Sequence, residues 1–264
     1  MLKEQNIKIA TPVSHLFKDP EDAELIISVS DCLECRDDTI LENYSGEELY
    51  HCELQPIHIW NDSEISLLER IVERKRSLKV ISFHMASSCT NPQLIGNRFE
   101  RGDVYYDREE LLQNAKRNFE KIRSILGHEM KFAVENNNYF PTAAYEHIAD
   151  AKFITEIVHS CNLFFLFDLA HAHISAANMN TTYSSYVKQL PIDSAIQLHI
   201  SRFAFDDDGM AYDSHEIPSK FEWSKVVQLM KKNKRDYVSI EYYKDTKTLV
   251  KELSHLRSLI NELP

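Results

Sequence analysis

No run of roughly 18 consecutive apolar residues occurs anywhere in this 264-residue chain, so no helix of it is expected to cross a membrane. There is no Pro-, Gly- or Ser-rich linker, no low-complexity tract and no repeat beyond an alternation of strand-like and helix-like segments, and a single domain over 1–264 is expected. The opening residues, MLKEQNIKIA, lack an apolar stretch ahead of a small-residue cleavage site, which points to the cytoplasm. Positive charge is short: 30 Lys and Arg face 41 Asp and Glu, for a net −11. That balance opposes binding to a nucleic acid, whose affinity comes mainly from cations on phosphate. The two basic runs, 73–76 and 231–235, read as solvated helix C-termini matched to the helix dipole. Cysteine is scarce and odd in number, five in all, which argues against a disulfide framework. Cys32 and Cys35 lie three apart in a strand-like run and face opposite sides, so they do not converge on one ion. Both read as small, partly buried residues, and Cys89, five residues after His84, reads as buried filler near the same end of the fold.

What the chain does have is eight short apolar runs, at 7–12, 32–36, 56–60, 79–84, 131–136, 163–168, 196–200 and 238–242. Their spacing, about 25 to 40 residues in most cases, suits strand–helix–strand crossovers. Helices are expected at 63–76, 107–126, 142–159, 222–233 and 246–262, with Asp107 and Asp245 as helix starts and Gly127 as a C-cap. These features predict an α/β fold, a (β/α)8 TIM barrel. Strand parity adds a direction. Lys131 and Ala133 are in phase with Glu135, Ser82 with His84, Pro56 with His58, Gln197 with His199 and Ser239 with Glu241. The opposite face carries Ile57, Ile59, Ile81, Phe83, Leu198 and Ile200. Bulky apolar residues thus face the helices, and smaller or polar ones face the barrel interior. Phe164 and Leu166 share the face of Asp168, which a deeper core layer would explain.

Most of these runs end in a residue able to bind a metal: Glu34, His58, His84, Glu135, Asp168, His199 and Glu241. His171 follows Asp168 by one helical turn, and Asp213 and His215 form a further pair. A lone strand-end His is more often hydrogen-bonded than ligating, and a lone Glu is often a structural acid. Acids converging on one barrel mouth, however, repel unless cations compensate them. Mixed carboxylate and imidazole donors are those of a multinuclear Zn, Mn or Fe site. His15, His51, His128, His147, His159 and His255 read as bystanders on helices or loops, and His173 as either exposed or a support for the ligands.

With these residues in place, the chain resembles the DUF692 family, the multinuclear nonheme iron-dependent oxidases akin to the methanobactin biosynthesis oxidase, within the xylose-isomerase-like TIM barrel superfamily. The likeness runs from about Cys32 to Ile260 and rests on ordered motifs. They are Leu33-Glu34 with Glu42-Asn43-Tyr44, Pro56-Ile57-His58, Phe83-His84, Val134-Glu135-Asn136, Ser175-Ala176-Ala177-Asn178, Gln197-Leu198-His199, and Asp213-Ser214-His215 with Trp223. Departures are Asp168-Leu169-Ala170-His171, a D-x-x-H pair of the endonuclease IV form, the segment 58–63 in place of a Gly-rich loop, and Met179 where the family has His.

The resemblance implies two or three metal ions, iron first with Zn or Mn as the other choices. Glu135 would bridge two of them, with His58 and His84 completing one, Asp168, His199 and Glu241 serving others, and His171, Asp213 and His215 on a third. Glu135, Asp168 and Glu241 would be catalytic, and Asn136 and Asn178 would orient ligands or substrate. The implied activity is an oxidase or oxygenase acting on cysteine residues of a ribosomally synthesised peptide, presented by a leader-peptide-binding partner protein. Three other readings stand beside it. One is an endonuclease IV-like zinc phosphodiesterase, and a second is a sugar isomerase or epimerase with a single divalent ion. The third is a degenerate barrel that only binds.

Overall fold

A computed structural model describes residues 7–127, 129–232 and 235–263. Eight parallel strands close into a barrel: β1 (Lys8–Pro12), β2 (Cys32–Arg36), β3 (Glu47–Cys52), β4 (Val80–Phe83), β7 (Lys131–Glu135), β8 (Phe164–Asp168), β9 (Ala195–Ile200) and β12 (Tyr237–Ile240). Each pairs with its sequence neighbour, and β12 returns to β1. Around them run α1 (Pro20–Val29), α2 (Asp62–Arg74), α3 (Arg108–Leu126), α4 (Ala151–Ser160), α5 (Leu169–Asn178), α6 (Tyr183–Val187), α7 (Lys220–Lys232) and α8 (Thr246–Asn261). Two hairpins, β5 (Leu94–Ile95) with β6 (Arg98–Phe99) and β10 (Arg202–Phe205) with β11 (Ala211–Glu216), rise from the C-terminal side. This is the expected (β/α)8 fold. Among the described residues no helix is long and apolar enough to cross a membrane.

Local chemistry sets the element ends. Asp107 accepts from Glu110 N–H and opens α3, while Gly127, at φ 79°, closes it in a conformation that other residues adopt at a cost. Asp245 accepts from Thr248 N–H and opens α8. The barrel interior is layered as the parity predicts. Its floor is a small apolar cluster that includes Ala10, Cys32, Leu49, Val80, Ala133 and Leu166. Cys35, Ile81, Phe83, Leu198 and Ile200 instead join the large core between barrel and helices. Cys32 and Cys35 therefore do point to opposite sides, and all five cysteines are free and buried.

Three expectations fail. The third barrel strand is β3, not 56–60, which forms turn and coil. Pro56 has no N–H to give a ladder, whereas Leu49 to Cys52 pair residue by residue with Val80 to Phe83. The helix expected at 142–159 is a single 3-10 turn, Ala143–Tyr145, followed by α4. Asp150 accepts from Lys152 N–H and starts the helix there, and His147 before it sits at φ 69°, outside helical space. Finally, the basic run at 73–76 is not wholly solvated. Lys75 is buried, its ammonium 2.7 Å from Glu47 Oε1 and also donating to the Glu42 carbonyl. In the run at 231–235, Asn233 and Lys234 lie outside the described residues, and Arg235 is buried, donating to the Ala195 carbonyl at 2.6 Å.

Because Lys75 and Glu47 are both buried, removing one partner strands the other. Lys75→Met should cost about 3–5 kcal/mol of unfolding free energy. Chemical denaturation should read this as a lower midpoint, and Lys75→Met with Glu47→Leu should regain part of the loss.

Candidate metal centre

Strand ends deliver the site. In β2, β3, β7, β9 and β12 the interior phase carries Glu34, His51, Glu135, His199 and, one residue past β12, Glu241, all buried. Below them lie Ser82, Gln197 and Ser239, polar and buried. Ser82 Oγ is 2.8 Å from His51 Nδ1, and Gln197 donates to Glu34. These contacts orient the rings and carboxylates from underneath.

Asp168 has two roles. It ends β8 and also caps α5, its Oδ1 accepting the His171 N–H at 2.5 Å. The D-x-x-H spacing is therefore the geometry of a helix N-cap, and it places the His171 ring over the mouth. Asn136 locks this corner: its amide accepts from Asp168 N–H and donates to the Asp168 carbonyl, both at 2.9 Å. Asn178 is used similarly, donating to the Tyr139 and Ala211 carbonyls and accepting from Ala211 N–H. Both asparagines, expected to orient ligands or substrate, hold backbone in place here, Asn136 that of the candidate ligand Asp168. Asp213 and His215 come from β11, which bulges where Arg202 pairs with Glu216 and Phe203 with Asp213. Bulges commonly re-aim side chains beside active sites. Here the bulge places His215 Nε2 3.2 Å from Asp213 Oδ2, with His215 itself at φ 45°.

Glu135 is the centre. Its Oε1 lies 3.2 Å from His199 Nδ1 and 3.8 Å from His171 Nδ1. Its Oε2 lies 3.3 Å from His84 Nδ1 and 3.4 Å from His51 Nε2. His171 Nε2 reaches on to Asp213 Oδ2 at 3.5 Å. On the other side, His199 Nε2 is 2.9 Å from Glu34 Oε2 and its Nδ1 is 3.4 Å from Glu241 Oε1.

Electrostatics follow from this crowding. Burial would raise Glu34, but His199 and Arg36 hold it down at about 2. Burial would also raise Glu135, but His171 and His51 keep it well below the usual carboxylate range. Burial, joined by Glu135, Glu241 and Asp213, pushes Asp168 well up against the pull of His171. Burial would lower His171 and His199, yet the surrounding carboxylates carry both well above the ordinary imidazole value. His84, buried beside His51, is pushed down to about 3.

The donors fit metal ions. His84 Nε2, Asp168 Oδ2, His199 Nδ1 and Asp213 Oδ2 are buried atoms without a well-formed hydrogen bond, which is costly in a mouth lacking cations. Among the described residues there are four sets within each of which the ligand atoms lie within 4.8 Å of one another: His51, Glu135 and His199; Glu34, His199 and Glu241; Glu135, Asp168 and His171; Asp213, His215 and Glu241.

The expected ligands His84, Glu135, Asp168, His171, His199, Asp213, His215 and Glu241 thus meet at one mouth. His58 does not join them. Its Nε2 is 2.8 Å from the Ser87 carbonyl and its ring lies against Tyr106. His51, expected to be a bystander, takes a place in the cluster because the true third strand ends with it. The alternation of Leu49 and His51 with Tyr50 and Cys52 was the available signal. His173, expected to be either exposed or a support for the ligands, is buried and sandwiched between Tyr183, 3.9 Å away, and Phe203, 5.1 Å away. His128 lies outside the described residues.

Residues 61–261 match the family described as RiPP precursor modification enzyme MbnB/TglH/ChrH. A UPF0276 protein of Vibrio parahaemolyticus is 22% identical over 170 residues, 60% of this chain and 58% of that protein. A UPF0276 protein of Caulobacter sp. is 24% identical over 125 residues, 46% of this chain and 44% of that protein. The chain thus spans about half the length of these curated relatives. In fold it is similar to 3-keto-D-glucoside 4-epimerase YcjR from E. coli, with a TM-score of 0.61, 12% identity, and coverage of 96% of this chain and 99% of that one. It is also similar to an L-ribulose 3-epimerase, with a TM-score of 0.58, 12% identity, and coverage of 97% and 95%. At such identity these two likenesses speak to fold alone.

His51→Ala should lower bound metal per chain, measured by elemental analysis, whereas His58→Ala should leave it unchanged. Asn136→Leu removes two buried hydrogen bonds and should destabilise the fold by about 2–3 kcal/mol in denaturant titration.

Proposed function

The chain belongs to the family of RiPP precursor modification enzymes that its residues 61–261 match, and from that membership and the mouth geometry we propose a metal-dependent oxidase or oxygenase that modifies cysteine residues of a ribosomally synthesised peptide. The observation that carries this reading is Glu135, whose carboxylate belongs to two separate candidate ligand sets, one with His51 and His199 and one with Asp168 and His171. A carboxylate so placed would be shared by two ions. A single-ion isomerase would leave several of these donors without a role, so the set favours a multinuclear site.

Glu135 with His51, His84 and His199 would hold one ion, and Glu135 with Asp168, His171 and Asp213 a second. Bound there, such ions supply a Lewis acid for a cysteine sulfur and, as iron, a redox centre for dioxygen. The chain's own residues bind and orient. Ser82 and Gln197 fix the His51 ring and the Glu34 carboxylate. Asn136 and the α5 cap fix Asp168 and His171. Ser201 Oγ donates to Asp213 Oδ1 at 3.0 Å.

An extended peptide would have room in the loops that follow β4 and β7. Two concavities of about 550 and 510 Å³ share Pro141, Thr142 and Ala143. Exposed Ile95 and Tyr105 line the second of these, with exposed Leu94 and Val104 next to them in sequence. A net charge of −11 suits a neutral or basic peptide, with a leader-binding partner protein as the presenter.

Anaerobic purification with metal quantification and Mössbauer spectroscopy tests the reading. More than one iron per chain is expected, with loss of hydrogen mass from a cysteine-containing precursor under dioxygen. Glu135→Gln should lose metal affinity by more than about tenfold and activity with it. One ion per chain would favour an isomerase, and cleavage of an abasic-site duplex by the zinc form would favour a phosphodiesterase.

A further inference from the structure

Glu34, His199 and Glu241 form the most deeply buried of the candidate ligand sets that do not include Glu135. A cation already sits in it. Arg36, at the end of β2, places Nη2 2.9 Å from Glu34 Oε1 and 2.5 Å from Glu241 Oε1. Its side chain keeps only 21% of its exposure. Tyr243 Oη donates to the same Glu241 oxygen at 3.1 Å, and its ring centroid lies 6.0 Å from the guanidinium carbon. Two carboxylates and one guanidinium thus share a corner lined on its remaining side by His199, whose Nε2 is 2.9 Å from Glu34 Oε2.

We propose that Arg36 is a resident counter-ion that takes the place of a metal ion at the Glu34–His199–Glu241 corner, confining metals to the Glu135 side of the mouth. A guanidinium remains charged at any pH the fold survives and repels a divalent ion brought within ligand distance of the same oxygens. Two buried carboxylates need positive charge, and Arg36 supplies it without exchange. His199 is thereby left free to direct Nδ1 at Glu135 while Nε2 stays on Glu34. Arg36 is a positioning residue: it touches the ligands, not the reacting atoms. The inference rests on the metal reading of the mouth, and not on the identity of the peptide or of the reaction.

The test compares wild type with Arg36→Met and Arg36→Lys by titration with Zn(II), counting bound ions by elemental analysis after gel filtration, and by melting temperature with and without Zn(II). Arg36→Met, which keeps the stem and loses the charge, should gain about one ion per chain, because the freed carboxylates resemble ordinary O and N ligand sets. Its melting temperature should fall without metal and be rescued by Zn(II) more than that of wild type. Arg36→Lys should keep the wild-type count. An unchanged or lower count in Arg36→Met overturns the proposal. So does a variant that cannot fold in excess Zn(II), since an ion should then serve where the guanidinium did. Wild type that binds no metal would instead overturn the metal reading itself.

Discussion

Glu135 ends a central strand with its carboxylate buried, and imidazoles from β3, β9, α5 and the end of β4 gather around it within 3.8 Å. A negative charge at that depth needs compensation, and much of the surrounding architecture can be understood as supplying or shaping it. Glu34, Glu241 and Asp213 bring more carboxylates to the same mouth, Asp168 is driven there toward its protonated form, and Arg36 reaches Glu34 and Glu241 with its guanidinium. This imbalance draws the His171 and His199 rings toward holding protons. Divalent ions would relieve the same imbalance with fewer compromises.

The supports are as specific as the ligands. Asp168 could not both cap α5 and face the mouth unless its backbone were held, and Asn136 holds it through two hydrogen bonds. The bulge in β11 brings Asp213 within reach of His171 from a hairpin outside the barrel. Rigid strands thus set the Glu135 side, and a cap and a bulge set the other. Such mixed origins let one barrel carry many chemistries.

Much of this was legible in the residue order. The interior phase of Ser82, Gln197 and Ser239 marked a polar upper layer, and Ala133, Leu166 and Cys32 sit in the floor beneath it. Asp168-Leu169-Ala170-His171 announced its own geometry, because an N-cap separates its two members by one turn. The third strand was obscured. Glu47 to Cys52 mixes acids with apolar residues, while 56–60 looks more strand-like despite a proline. That appearance favours His58 over His51 as a strand-end ligand. The burial of Lys75 was hidden as well, since only the fold brings Glu47 and the Glu42 carbonyl to it. Arg36 gave no sign, because its partner Glu241 lies 205 positions away.

The fold neighbours, named as sugar epimerases, share the barrel, and the family match supplies the peptide-modifying context. The proposed metal reading of this chain turns on the occupancy of one carboxylate, Glu135. Anomalous diffraction at the metal edge from crystals of the loaded protein reads that directly. The account predicts one peak on each side of Glu135, the first shared with His51, His84 and His199 and the second with Asp168 and His171. A single peak, or peaks that leave Glu135 uncoordinated, would contradict it.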